Sequence, residues 1–600
     1  MPTTPSPAAV IRPIDLVRAT LLALALVAAA AIHRGDSPPA PATPPAPEAA
    51  SGLSARPLAV ATRQMVAAPH PVATGAGLAI LRAGGSAADA AIAAAIMLTL
   101  VEPQASGIGG GGFALHYAAA GGAITTFDGR ETAPAVARPD RFLDRGKPLP
   151  FQLAVHSGLS VGTPGLVRML ELLHHRHGRL AWADLVQPAV QLADAGFPVS
   201  PRLNRLLSLR GAEAFDAAAR AHFFDASGAP WPAGHRLANP GLAATLRAIS
   251  AGGADAFYTG EIAQRIVEAV ARAPNRSGDL TLADLAGYTA KERAPVCVDY
   301  RGHRICGMGP PSSGAHAVAQ ALRLVELHDL GRTPERAMSH RGLHIIAEAQ
   351  KLAYADRDFH VGDPDVVPVA AGLLDAGYLA ERHALLHPAR AGTRLYPGSP
   401  PAARRAALGD DATGEGAGTS HVSVVDAAGN AVALTSSIEA AFGARLMAGG
   451  FLLNNQLTDF SFRPRDTLGR LAANAAGPGK RPRSSMAPTI VTGPDGRLAH
   501  VLGSTGGSAI ITYVVQALVG LIDWQLDPAA VAGLPRFAGR GGELHLEQHG
   551  KVVWQALRLA PYGHRFRIGP QTSGTQIVSV RNGRLQGGTD PRKEGVALGD

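Results

Sequence analysis

Two cysteines in 600 residues are too few for a disulfide framework or for a metal centre built from thiolates. Charged residues make up only 17% of the chain against 46% hydrophobic, which excludes a self-repelling disordered chain and implies a large buried core. Lys and Arg exceed Asp and Glu by 56 against 47. That excess is scattered, with no basic tail or stripe, and argues against nucleic acid as a partner. No internal repeat is visible. Turn formers, in contrast, are plentiful: 70 Gly and 46 Pro imply many tight loops. The length suits one large domain or two intimately packed ones.

The N-terminus carries the longest apolar run of note, Leu21–Ile32, preceded by Arg12 and Arg18. It is shorter than the roughly 18–20 residues of a membrane span. With the small residues Ala29-Ala30-Ala31 it reads as a signal peptide over residues 1–35, or else an uncleaved N-terminal anchor. Residues 36–55, with the Pro/Ala tract Ser37–Pro47, form a linker without packing capacity. Export to a periplasmic or extracellular location is expected. Cys297 and Cys306 flank a turn at Arg301-Gly302, so a hairpin puts them on neighbouring strands. An oxidising compartment would join them; a pair of buried thiols is the alternative.

Periodicity suggests helix from about Arg56 to Val101, then a glycine-rich turn at Gly109–Gly112. Thr163 is expected to cap a helix opening with Pro164, striped by Leu166, Met169, Leu170 and Leu173 and ended by Gly178. Glu348–Asp358 reads as another helix, running into the Gly362-Asp363-Pro364 turn. Between Arg390 and Gly418 the composition shifts to Ala, Gly, Pro, Arg and acidic residues, as in a flexible exposed loop. Order resumes at Thr419: strand His421–Asp426, turn Ala427–Asn430, partner strand Ala431–Ser437. Later come strand Leu498–Leu502, a tight loop Gly503–Gly507 and helix Ala509–Ile522.

Three places compete for chemistry. Gly158-Leu159-Ser160-Val161-Gly162 has the form of a nucleophile elbow, but its serine does not run directly into a helix. His174-His175-Arg176-His177 could bind metal, though histidines at a helix C-terminus are more simply favoured by the dipole. Thr419 follows the loop and opens a strand. Were the Gly418–Thr419 bond cut, this residue would own both a hydroxyl and an α-amine of pKa near ~8, a nucleophile with its own base.

Around Thr419 the segment Thr419–Asp426 resembles the γ-glutamyltransferases of the N-terminal-nucleophile hydrolase superfamily. So do Leu453–Phe460, Lys480–Thr489 and the loop Gly503–Ser508. The N-terminal part is similar at Phe127–Pro134, Gly309–Gly314 and Tyr354–Arg357. The resemblance implies an α+β fold, an αββα four-layer sandwich, without cofactor or metal. It also implies autocleavage into a large subunit, 56–418, and a small one, 419–600, that stay together as a heterodimer. By that resemblance Thr419 is the nucleophile and Ser437 supplies a hydroxyl that hydrogen-bonds it. The amides of Gly506 and Gly507 face the oxyanion. Arg130, Ser484 and Ser485 bind the substrate α-carboxylate, while Glu439, Gln456 and Asp459 receive the α-ammonium. A small γ-glutamyl compound such as glutathione is then the donor, and water or an amino acid or peptide amine the acceptor.

The chain departs from familiar members at two points. Position 439 is Glu where some have Asn, and no aromatic residue lies between Phe462 and Ser484. Some relatives place a Tyr lid there, and the resemblance does not extend to it. The rival readings are a glutaryl-type cephalosporin acylase on the same fold and an uncleaved binding protein that has lost activity.

Overall fold

Side chains alternate across a strand, so a strand covered on both faces must feed two cores. Met65–Ala68 does so. Met65 and Ala67 enter one core and Val66 and Ala68 the other. The computed structural model describes residues 56–600 apart from 369–371, 393–394, 402–407, 412 and 414–417. The expected signal or anchor and its linker, 1–55, lie outside the described residues.

Two seven-stranded sheets, each antiparallel throughout, form the centre. In spatial order the first runs Val596–Gly599, Met65–Ala68, Ser420–Val425, Ala431–Ser437, Gly111–Tyr117, Ile124–Gly129, Lys291–Arg293. The second runs Ala59–Ala61, Arg584–Thr589, Gln576–Arg581, Leu498–Gly503, Thr489–Thr492, His303–Gly307, Val296–Tyr300. Their inner faces meet through Phe113, Leu115 and Ala433 of the first and Ile490, Val501 and Val578 of the second. Helices Gly314–Val325, His340–His360 and Ile510–Ile522 cover the second sheet in the same core.

The outer face of the first sheet, with Ala114, Val422 and Leu434, packs on helices Pro71–Arg82, Ala87–Val101 and Leu166–His177. Ala87–Val101 is buried along all 15 residues, the state expected of a helix apolar all round. Ser86 and Asp89 close a capping box at its start. The layers are helix, sheet, sheet, helix. Among the described residues no helix is long and apolar enough to cross a membrane.

Several local expectations change. The region from Arg56 opens with strands Ala59–Ala61 and Met65–Ala68 before any helix, because distant C-terminal strands pair with both. Thr163 caps nothing: it bridges Thr132, and the helix starts at Leu166. The amides of Gly165 and Leu166 donate to Gly110 O at 2.9 and 3.0 Å, satisfying donors that a cap would otherwise serve. Glu348–Asp358 is the second half of the longer helix His340–His360. Of the supposed exposed loop, Gly409 and Gly418 are buried. Cys297 and Cys306 are register partners in the antiparallel pair and are joined by a disulfide, with Arg301 and Gly302 at the turn in positive φ.

Candidate functional site

Thr419 and Gly418 sit at the mouth of strand Ser420–Val425 and line a narrow cleft. Arg130, Ser437, Glu439, Gln456, Asp459, Ser484, Ser485 and Gly507 line the same cleft. Gly506 flanks it as the residue before the short turn Gly507–Ala509. Nine of the ten expected site residues therefore share one cavity, and the tenth adjoins it. Ser160 is elsewhere, its hydroxyl donating to Val155 O at 3.0 Å and Ser157 O at 2.8 Å. The His174–His177 cluster also disperses: His174 binds Leu180 O at 2.9 Å and His177 stacks on His116.

The carbonyl of the Gly418–Thr419 peptide bond is engaged. Ser437 Oγ donates to Gly418 O and accepts from Glu439 N at 2.9 Å. The expected bond from Ser437 to the nucleophile is thus directed at the neighbouring carbonyl instead. Ser420, next in sequence, donates to Glu102 Oε2 at 2.9 Å, and Arg202 holds the other carboxylate oxygen at 2.7 Å. The buried Glu102–Arg202 pair fixes the start of the strand that follows Thr419. His421, two residues on, is no base: burial pushes it down to about 3.

Arg130 is fully buried and positioned from behind. Its amide donates to Asp128 at 2.8 Å, and Asp128 is clamped by Arg481 at 2.6 Å and Arg293 at 2.7 Å. The guanidinium donates to Pro482 O, Arg483 O and Asp459 Oδ2 at 3.0, 2.8 and 2.6 Å. Gln456 Nε2 reaches the same Asp459 oxygen at 2.7 Å. Beside Arg130, Glu131 is buried with neither carboxylate oxygen hydrogen-bonded. Burial drives its carboxyl up to about 8 despite Arg130.

Glu439 stands at φ +78°, a conformation that costs about 1–3 kcal/mol for a residue with a Cβ. Asn455 Nδ2 donates to its carboxylate and Asn455 Oδ1 accepts from Ala440 N at 2.8 Å, which holds the bend. Gly506 and Gly507 lie at φ +129° and +58°, and a Cβ on Gly506 would fall 2.6 Å from the Tyr513 ring. Glycine is required there for both reasons. On the far wall Ser484 Oγ accepts from Met486 N at 3.1 Å, and Ser485 Oγ from Arg357 Nη2 at 2.5 Å.

Sequence reasoning missed Glu102, Arg202, Asn455 and Arg357. Asn455 and Arg357 fall inside motifs carrying the family resemblance, so a signal existed. Glu102, at the end of a buried helix, offered none. The ring of Phe462 stacks on Phe142 at 4.6 Å.

Residues 73–600 match the protein family described as "Gamma-glutamyltranspeptidase". The chain is 38% identical over 583 residues to the "Glutathione hydrolase proenzyme" of Escherichia coli (strain K12), covering 94% of this chain and 97% of that protein. It is 34% identical over 568 residues to the "Acylase ACY 1 proenzyme" of Pseudomonas sp. (strain V22), covering 92% and 96%. Among solved structures, a cephalosporin acylase from Bacillus halodurans matches with a TM-score of 0.80 at 28% identity, covering 95% of this chain and 99% of that one.

Proposed function

This chain belongs to the gamma-glutamyltranspeptidase family, and from that premise we propose that it is a γ-glutamyltransferase with glutathione hydrolase activity, matured by cutting its own Gly418–Thr419 bond. The observation carrying this reading is the convergence of Thr419, Arg130, the two serines and the acidic pair Glu439 and Asp459 on one cleft.

In maturation Thr419 Oγ1 attacks the Gly418 carbonyl. Ser437 donates to the oxygen that gains charge. The C–N bond breaks, the hydroxyl proton passes to the departing nitrogen, and water then hydrolyses the ester. The large subunit, 56–418, and the small one, 419–600, remain associated. The freed α-amine is the general base for Thr419. In turnover the hydroxyl attacks a γ-glutamyl amide carbonyl, and the amides of Gly506 and Gly507 hold the oxyanion. The leaving amine takes the proton, and water or an acceptor amine resolves the γ-glutamyl ester. Arg130 and the Ser484 and Ser485 hydroxyls receive the α-carboxylate. Glu439, Gln456 and Asp459 receive the α-ammonium, which competes with Arg130 for Asp459.

The acylase relatives support a second reading, a glutaryl acylase. Two carboxylates beside the nucleophile favour the γ-glutamyl group, because a glutaryl group has no cation to offer them. A periplasmic or secreted location accords with the N-terminal sequence. Thr419→Ala tests the proposal: it should remain one inactive chain, whereas wild type yields a small subunit of 600 − 418 = 182 residues. Normal cleavage of the Ala variant, read by intact mass, would overturn it.

A further inference from the structure

A buried cation is normally paired with a carboxylate, because an uncompensated charge is costly to take out of water. Arg445 departs from this pattern. It lies at φ +61° in the loop between strands Ala431–Ser437 and Met447–Ala448 and is only 3% exposed. Its backbone is tied down, with N donating to Phe442 O at 2.9 Å and O accepting from Asp216 N at 3.1 Å. Its charge is not answered. Among the described residues no carboxylate pairs with the guanidinium. Burial and the neighbouring Arg210 push it down to about 9, so it is still a cation at neutral pH. Arg210, the last residue of helix Pro201–Arg210, is itself pushed down to about 10 by burial.

Arg445 Nη1 lies 3.2 Å from Nδ1 of His156, the residue that closes the short helix Phe151–Val155. A guanidinium donates five N–H bonds and accepts none, so His156 Nδ1 is the acceptor. Burial and then the two arginines push His156 down to about 3. The ring is therefore neutral, and its one proton sits on Nε2. That Nε2 is buried and meets no hydrogen-bond partner, and the same holds for Arg445 Nε. Two buried donors on touching side chains thus lack an acceptor, and the Arg445 charge lacks a counter-charge. A water molecule would satisfy the donors but not the charge; an anion satisfies both. Both donors are sealed from solvent, which limits the occupant to a few atoms. None of these residues lines the Thr419 cleft.

We infer that Arg445 and His156, with Arg210 adding positive charge, form a binding site for a small inorganic anion, a halide or an oxyanion, on the loop that also carries Glu439.

The test follows the apparent melting temperature of the full-length protein at constant ionic strength, with gluconate exchanged stepwise for chloride or for phosphate. Wild type should rise by on the order of 2–4 °C and then level off, as binding to a site does. Stabilisation by excluded salt does not saturate and acts on every variant. Saturation by chloride at the lower concentration assigns a halide site, and the reverse an oxyanion site. Arg445→Met keeps the length of the side chain without its charge. It should lose the saturable rise and, in gluconate, melt at or above wild type, because an unpaired buried charge is gone. His156→Leu removes one donor and keeps Arg445, so its half-saturation concentration should rise on the order of 10-fold. It is the readout should the Met variant fail to fold. An unsaturable rise shared by all three proteins, or no rise in wild type, would overturn the inference. So would an Arg445→Met protein that melts well below wild type in gluconate, since the protein itself would then be compensating Arg445.

Discussion

Ser437 is the side chain through which maturation can be tested most directly. Its oxygen accepts from Glu439 N at 2.9 Å, and its proton goes to Gly418 O, the carbonyl of the bond we propose is cut. In the ground state that carbonyl is neutral, and the hydrogen bond contributes about 0.5–1.5 kcal/mol. As Thr419 attacks, the oxygen gains a full charge and the same donor is worth far more. Loss of one such donor costs roughly 10²–10³-fold in rate, or about 2.7–4 kcal/mol. Ser437→Ala should therefore lengthen the half-time of autocleavage by about 10²-fold while leaving the precursor folded. Ser437→Thr, which keeps the hydroxyl, should restore the rate to within a few fold. The assay is the time course of the 182-residue subunit on a denaturing gel, with intact mass to fix its N-terminus at Thr419. A Ser437→Ala precursor that matures with the wild-type half-time would refute the argument, because the carbonyl would then be polarised by another group.

Three other outcomes are expected. Asp459→Asn should mainly lower kcat/KM for γ-glutamyl anilides and narrow an expected preference of about 10²-fold or more over matched glutaryl anilides; equal wild-type values would favour the acylase reading. Glu131, raised from 4.5 to about 8 by burial, keeps a proton in the folded chain that the unfolded chain loses. Its contribution is full below pH 4.5 and lost as pH rises through 8. Glu131→Gln should then flatten the fall in unfolding free energy across that window by about 2 kcal/mol or more, and parallel curves would refute this. Replacing Cys297 and Cys306 by serine should lower stability by about 2–3 kcal/mol in denaturant titrations, and an unchanged midpoint would show that the bridge contributes nothing.

What was legible in the sequence divides along a physical line. Strand Ala431–Ser437, its turn and the hairpin at Arg301-Gly302 were readable, because turn chemistry and alternation are local. Thr419 stood out through the switch from loop to strand, whereas the other nine site residues were identified only through resemblance, since nothing local makes Arg130 and Ser485, far apart in the chain, face one cleft. Strand Met65–Ala68 was hidden in an alanine-rich stretch that suits helix equally well. Its state is decided by Ser423–Val425 and Val596–Gly599, which pair with it from opposite sides. The start of the helix at Leu166 was misplaced because Gly110 O does the work of a cap from outside the segment. Glu102 has meaning only beside Ser420, more than three hundred residues away.

The order of the first sheet carries a consequence for the history of the molecule. Met65–Ala68 lies wedged between Val596–Gly599 and Ser420–Val425. A cut before Thr419 would thus leave one piece inserted between two strands of the other. Neither could depart without stripping whole ladders and baring strand edges prone to pair with strangers. The nick acts as a ratchet. The joined chain can bring these strands together as one polymer, whereas the two pieces, once unravelled, would have to find each other in solution. A mature molecule that is melted should therefore fail to regain its form under conditions in which the uncut Thr419→Ala chain refolds.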